Sequence, residues 1–146
     1  MSGVQCRRRR SRPVATPRTS TVTVVDSLFD RVGGQAFFDR LVEAFYMGVE
    51  GDPTLRPLYP EDLRESKEHL ALFLGQYWGG PNTYSERRGH PRLRMRHAPF
   101  LIGLTEREAW LRHMTAAVRA SNLDPATEVE LVAYFDMASR TLINAR

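Results

Sequence analysis

The sequence predicts an all-α fold in a single domain. Three observations carry this. Apolar residues recur at three- and four-residue spacing in four separate stretches. No stretch shows the period-two alternation of a half-buried strand. Glycine–proline clusters such as Gly51-Asp52-Pro53 and Gly79-Gly80-Pro81 fall between the stretches, where helices must stop. A length of 146 residues suits one domain with one core.

The elements follow in order. Ser27-Leu28-Phe29-Asp30 opens with a residue that accepts hydrogen bonds from the first turn, and Gly33-Gly34 closes a short helix. Phe37, Leu41, Phe45 and Val49 then recur every four residues, flanked by Phe38, Val42 and Tyr46, a stripe on a helix of about four turns. The run from Leu55 to Pro60 is a proline-bounded connector. Glu61 and Asp62 stand where acids favour a helix N-terminus. The next helix carries Leu63, Leu70, Phe73, Leu74, Tyr77 and Trp78. Residues 79 to about 91 read as a long loop. Pro91 is expected to open a short helix through Ala98, bounded by Pro99. Thr105 and Glu108 fit a capping box for a helix bearing Trp110, Leu111, Met114, Ala117 and Val118. Asp124-Pro125 starts the last helix, with Val129, Val132, Phe135, Met137, Ala138 and Leu142 as its apolar positions.

Residues 1–25 form a separate block rich in Arg, Ser, Thr and Pro, with valine as the largest apolar residue. Such a segment cannot bury enough surface to offset its ordering entropy. Two readings stand: a disordered tail, or a start assigned too early, with Val22, Val24 or Val25 as later starts. The block lacks the apolar stretch of a secretory signal, though its arginines superficially resemble a transit peptide. The folded domain is then residues 26–146. Six of the 21 basic residues precede Asp26, so the net charge of +4 belongs to the tail and the domain is slightly acidic. The charge is thus weak support for nucleic-acid binding by the folded part. The single cysteine, Cys6, excludes an intrachain disulfide framework and a multi-cysteine metal site. No apolar run reaches the roughly 18 residues of a membrane span.

Four histidines are present: His69, His90, His97 and His113. None pairs with another at the spacing of a helical zinc site, and no phosphate-binding or nucleophile-elbow motif occurs. His97 follows Arg92-Leu93-Arg94-Met95-Arg96 and precedes Ala98-Pro99-Phe100. A neutral imidazole is a good ligand for haem iron. Leu93 and Phe100 suit a flat apolar macrocycle, and nearby arginines suit its propionates. From spacing alone, a solvated histidine on a basic surface helix accounts for the same residues and is the commoner case. Tyr46, Tyr59 and Trp110 are the second constellation. Buried Tyr and Trp need partners for their O–H and N–H groups, so they are either core aromatics bonded to carbonyls or donors converging on a ligand. The arginine-rich run from Glu86 to His97 attracts phosphate in principle, but no stacking aromatic and no nucleic-acid motif accompanies it.

At these residues the sequence resembles a family. From Ser27 to Asn144 it is similar to the truncated haemoglobins, specifically the group II branch of actinobacteria. The matching segments include Val32-Gly33-Gly34, Phe45-Tyr46, Leu58-Tyr59-Pro60-Glu61-Asp62, Gln76-Tyr77-Trp78-Gly79-Gly80-Pro81 and Thr83-Tyr84-Ser85-Glu86. The long run over residues 88–100 and Ala109-Trp110-Leu111 complete the match; the long run is the specific part. The resemblance implies a two-over-two helical sandwich holding one haem b. It implies His97 as the proximal iron ligand, Tyr46 and Tyr59 as distal tyrosines and Trp110 as the distal tryptophan. It places Ser66 at the ligand-entry position, Leu70 against the distal face of the haem, and Arg96 among candidates for the propionates.

The resemblance further implies a five-coordinate iron that reversibly binds dioxygen and other diatomic ligands, NO and CO among them. Two phenols and an indole in a dry pocket would favour a ligand with partial negative charge and slow its release. Two rivals remain at this point. The same site in an enzyme would oxidise nitric oxide or reduce peroxide, drawing electrons from an external reductase. A haem-free helical interaction module would instead use the basic stretch. A cytoplasmic protein, able to form a homo-oligomer and without a specific nucleic-acid partner, is the expectation in either haem case.

Overall fold

The computed structural model describes residues 27–145. The Arg-rich block, its alternative starts and Cys6 lie outside the described residues. Within them the chain forms α1 (Leu28–Val32), α2 (Gln35–Glu50), a 3₁₀ turn (Arg56–Leu58), α3 (Arg64–Tyr77), α4 (Thr83–Arg88), α5 (Leu93–His97), α6 (Leu104–Ala120) and α7 (Pro125–Thr141). No strand occurs among the described residues. No helix there is long and apolar enough to cross a membrane.

The first turn forms for the reason the sequence suggests. Ser27 Oγ accepts from the Asp30 amide at 3.2 Å, and Gly33 closes the turn at φ 102°. The turn docks on the end of α3, where the Phe29 amide donates to the Trp78 carbonyl at 3.0 Å. This approach requires the glycine pair. A Cβ on Gly79 would lie 2.5 Å from Ser27 Cβ, and one on Gly80 would lie 2.5 Å from the Phe29 ring.

The fold is built from two helical pairs. α2 packs on α3, α6 packs on α7, and α2 against α6 joins the pairs. The stripe of α2 supplies the centre: Phe38, Leu41, Val42, Phe45 and Val49 are almost completely buried. Leu74, Met114, Val118, Leu131 and Phe135 meet them from α3, α6 and α7. Burying side chains of this size contributes about 1.5–3 kcal/mol each. The four long helices thus reproduce the two-over-two arrangement of truncated globins.

The structure corrects four local expectations. The expected loop at residues 79–91 contains α4. Tyr84 is buried there against Phe73, and Gln76 grips Ser85 twice: its Oε1 accepts from the Ser85 amide at 2.9 Å, and its Nε2 donates to Ser85 Oγ at 2.8 Å. These tertiary contacts override the surrounding Gly, Pro and Asn. The helix expected to open at Pro91 opens at Leu93, because Arg92 adopts φ 45° and breaks the chain direction there. At α6 the capping residue is Glu106 rather than Glu108: its Oε1 accepts from the Gly103 amide at 2.8 Å. On α7, Val129 and Met137 face solvent, and Leu131 takes the core position instead. Asp124 does start α7, accepting from the Thr127 amide at 3.1 Å and from its hydroxyl at 2.7 Å.

Candidate functional site

A cleft of about 360 Å³ opens between the helical pairs. It falls in the size range of small-molecule and cofactor pockets. Its walls bring together all seven residues singled out from the sequence: Tyr46 from α2, Tyr59 from the connector, Ser66 and Leu70 from α3, Arg96 and His97 from α5, and Trp110 from α6. Leu93 and Phe100, expected to face a flat apolar group, line it too.

The aromatic donors form one cluster. The Tyr46 and Tyr59 rings meet edge to face at 5.4 Å between centroids. Phe45 packs on Tyr46 at 5.0 Å and on Trp110 at 5.4 Å, so one core residue carries two of the three. Their polar ends are ordered by chemistry. An indole N–H can only donate, so Trp110 donates toward Tyr59. The Tyr46 hydroxyl also donates toward Tyr59, and the Ser66 hydroxyl toward Tyr46. Burial pushes the Tyr46 phenol far above its ordinary range and the Tyr59 phenol up to about 12. Both hydroxyls are therefore protonated, and hence donors, at any ordinary pH. Two of these approaches meet at the Tyr59 oxygen.

The cluster hangs from a junction that carries no signal in the sequence. Asp52 follows α2 and is 7% exposed. Its Oδ1 accepts from the Thr54 amide at 2.8 Å, and its Oδ2 accepts from His113 Nε2 on α6 at 2.7 Å and from Arg112 at 3.2 Å. The hydrogen bond from His113 holds the Asp52 carboxyl below the usual carboxylate range. The His113 ring lies over Gly48, where a Cβ would come within 2.4 Å of Nδ1. This junction joins the end of α2 bearing Tyr46, the connector bearing Tyr59 and the helix bearing Trp110. Asp52 reads in sequence as a helix stop, and only the 61-residue contact with His113 discloses its role.

His97 enters from a different element. Its Nδ1 lies 2.7 Å from the Leu93 carbonyl oxygen. A carbonyl only accepts, so Nδ1 is the donor, and in the neutral ring the lone pair falls on Nε2. That is the state a metal-ligating imidazole requires. His69 also lines the cleft, but its Nε2 faces the Arg88 guanidinium at 3.1 Å. A guanidinium only donates, so that lone pair is taken. Burial and the neighbouring arginines lower the His69 pKa, which keeps the ring neutral. His90 accepts from the Arg92 amide at 3.1 Å, away from the cleft lining, and His113 is held by Asp52. Arg96 is in the wall: Nε donates to the Pro91 carbonyl at 2.7 Å and one terminal nitrogen to the Arg88 carbonyl at 2.8 Å.

This donor set fits haem. One imidazole offers a free lone pair to an apolar cleft, and three polar hydrogens gather elsewhere in it. Among the described residues no group of three or more His, Cys, Asp or Glu side chains could hold a bare metal ion.

Comparison with known proteins agrees with this chemistry. Residues 27–144 match the bacterial-like globin family. A group 2 truncated haemoglobin of Bacillus subtilis is 37% identical over 111 residues, covering 76% of this chain and 84% of that protein. The crystal structure of the haemoglobin from Chloroflexus aurantiacus superposes with a TM-score of 0.80 at 52% identity, covering 82% of this chain and 99% of the other. A truncated haemoglobin structure from Bacillus subtilis gives a TM-score of 0.77 at 34% identity, covering 82% of this chain and all of the other. Members of this family bind haem iron and, through it, diatomic ligands. The chain belongs to the bacterial-like globins, as a truncated haemoglobin of group II.

Proposed function

We propose that the protein reversibly binds dioxygen at a five-coordinate haem iron, with His97 as the protein's ligand to the metal. The observation that carries this reading is the His97 Nδ1 contact to the Leu93 carbonyl at 2.7 Å, which assigns the lone pair of the neutral imidazole to Nε2, with the residue in the wall of an apolar cleft. Haem, when bound, would supply an iron able to take a diatomic ligand. The chain does the rest. Leu70, Leu93 and Phe100 exclude water from the macrocycle. The commitment of His69 Nε2 to Arg88 keeps a second imidazole off the metal, which supports five-coordination.

Tyr46, Tyr59 and Trp110 bring polar hydrogens to a site of low dielectric, where they favour a ligand whose atoms carry partial negative charge. This selects dioxygen over the nearly apolar carbon monoxide. It agrees with the description of the Bacillus subtilis relative as an oxygen-avid truncated haemoglobin. Turnover of nitric oxide or peroxide would use the same site with an external reductase, and no residue here favours it over reversible binding. Arg96 holds the chain before α5 through Nε and one terminal nitrogen, and its other terminal nitrogen is the group it would offer a propionate.

The test is spectroscopic. Purified protein supplied with haem is expected to give a strong Soret band, and its reduced, ligand-free form the spectrum of a five-coordinate iron. His97→Ala is expected to abolish the iron–histidine signature while leaving the helical circular dichroism in place. A wild-type protein that takes up no haem would overturn the haem reading and leave the helical interaction module. A six-coordinate reduced form would overturn the account of His69.

A further inference from the structure

The element bearing His97 is too short and too exposed to hold itself. α5 has five residues, none buried, and no side chain caps its start. Isolated helices need about 12–15 residues to be even marginal in water. The position of the imidazole must therefore be set by contacts from elsewhere.

Two side chains supply them, one at each end. Before the helix, Arg96 bridges to the carbonyls of Arg88, His90 and Pro91, at 2.8, 3.4 and 2.7 Å, with its guanidinium over the Tyr84 ring. After it, the chain is gripped by Asn144, which follows α7. Asn144 Nδ2 donates to the His97 carbonyl at 3.3 Å and to the Phe100 carbonyl at 2.9 Å, and its Oδ1 accepts from the Ile102 amide at 2.8 Å. The amides of Asn144 and Ala145 both donate to the Ile102 carbonyl, at 2.8 and 3.0 Å. One side chain thus uses both donor hydrogens and its acceptor on residues 97–102. Of the carbonyls it reaches, that of His97 ends α5 and that of Phe100 lies in the segment just after it.

We propose that Asn144 is a positioning residue for His97, fixing the height and tilt of the imidazole in the cleft and so the geometry of the bond it makes to iron. This rests on His97 being the iron ligand. The Leu93 carbonyl sets rotation about the side chain, and Asn144 sets the backbone from which the side chain springs. Without its donors, the tie between residues 97–102 and the end of α7 is reduced to the bonds at Ile102, and the histidine samples a range of positions.

The experiment compares haem-loaded wild type with His97→Ala, Asn144→Ala and Asn144→Asp. The Asp variant keeps an acceptor for the Ile102 amide and loses both donors. The readouts are the iron–histidine stretching band of the reduced, ligand-free form and the rate of haem transfer to an acceptor apoprotein. Both Asn144 variants are expected to shift and broaden the band and to speed haem transfer by about tenfold, the worth of two neutral hydrogen bonds. Melting temperature and helical circular dichroism report folding separately. An unchanged band in both Asn144 variants would overturn the proposal. So would a wild-type band in Asn144→Asp with a shifted one in Asn144→Ala, since the tether to Ile102 would then suffice. Retention of the band in His97→Ala would instead remove the ligand assignment beneath it.

Discussion

Removing the Tyr59 hydroxyl is the most informative perturbation of the cleft. With Trp110 and Tyr46 donating toward the Tyr59 oxygen, their hydrogens have a recipient before a ligand arrives. The Tyr59 proton has none. A ligand gains that hydrogen bond outright, and gains those from Tyr46 or Trp110 only by drawing them away from Tyr59. A neutral hydrogen bond is worth about 0.5–1.5 kcal/mol net, and two donors polarising the same hydroxyl strengthen it by about 10–30% each. Tyr59→Phe is then expected to speed oxygen dissociation by about tenfold, at 1.4 kcal/mol per decade. Tyr46→Phe and Trp110→Phe exchange one partner for another, so each should cost about two- to threefold. Because all three groups share one network, the double variant of Tyr46 and Tyr59 should fall short of the product of the singles. Stopped-flow displacement of oxygen by carbon monoxide, with the rebinding rate measured by flash photolysis, reads these quantities. An off-rate for Tyr59→Phe within twofold of wild type, beside a tenfold change in Tyr46→Phe, would refute the proton count.

Three further outcomes follow from the same geometry. Burial raises both tyrosine pKa values, Tyr59 to about 12, so the donors should survive at pH 10, where a free phenol is half ionised. The oxygen off-rate should be flat from pH 6 to 10, and the stability these neutral phenols contribute should fade only as pH rises from 10 through 12. The Asp52 carboxyl is shifted the other way, so its contribution is present above the ordinary carboxylate pKa near 4 and is lost as pH falls through its lower folded value. Melting curves of wild type and Asp52→Asn should accordingly differ most at neutral pH and converge toward pH 2. Gly48→Ala drives a methyl into the His113 ring and should destabilise by about 1–3 kcal/mol in urea titrations, with His113→Ala restoring part of the loss in the double variant.

The legible and illegible parts of this molecule differ in the range of the interactions that decide them. The α2 stripe reads directly, because Phe37, Leu41, Phe45 and Val49 lie one turn apart and bury one face. The Asp124-Pro125 start of α7 is equally local. α4 is not: residues 83–88 have weak intrinsic preference, and the helix exists because Tyr84 is buried and Gln76 grips Ser85 nine positions away. In the site, Tyr46, Tyr59, Trp110 and His97 were found through a specific family resemblance, since spacing alone left each an ordinary aromatic or a surface histidine. Asp52 and Asn144 carry no local signal. Their meaning lies in contacts spanning 61 and 47 residues, made by side chains that any polar surface could contain.

The fit of Gly48 beneath His113 constrains ancestry as well as architecture. With the imidazole in place, position 48 has no room for a methyl group, the smallest step any other residue could take. A lineage that loses the imidazole first frees position 48 to drift; one that begins at 48 meets a collision. Substitutions at these two sites should therefore occur in a fixed order among descendants. A globin of this kind with a side chain at 48 should have already given up the ring at 113, and with it the anchor for Asp52.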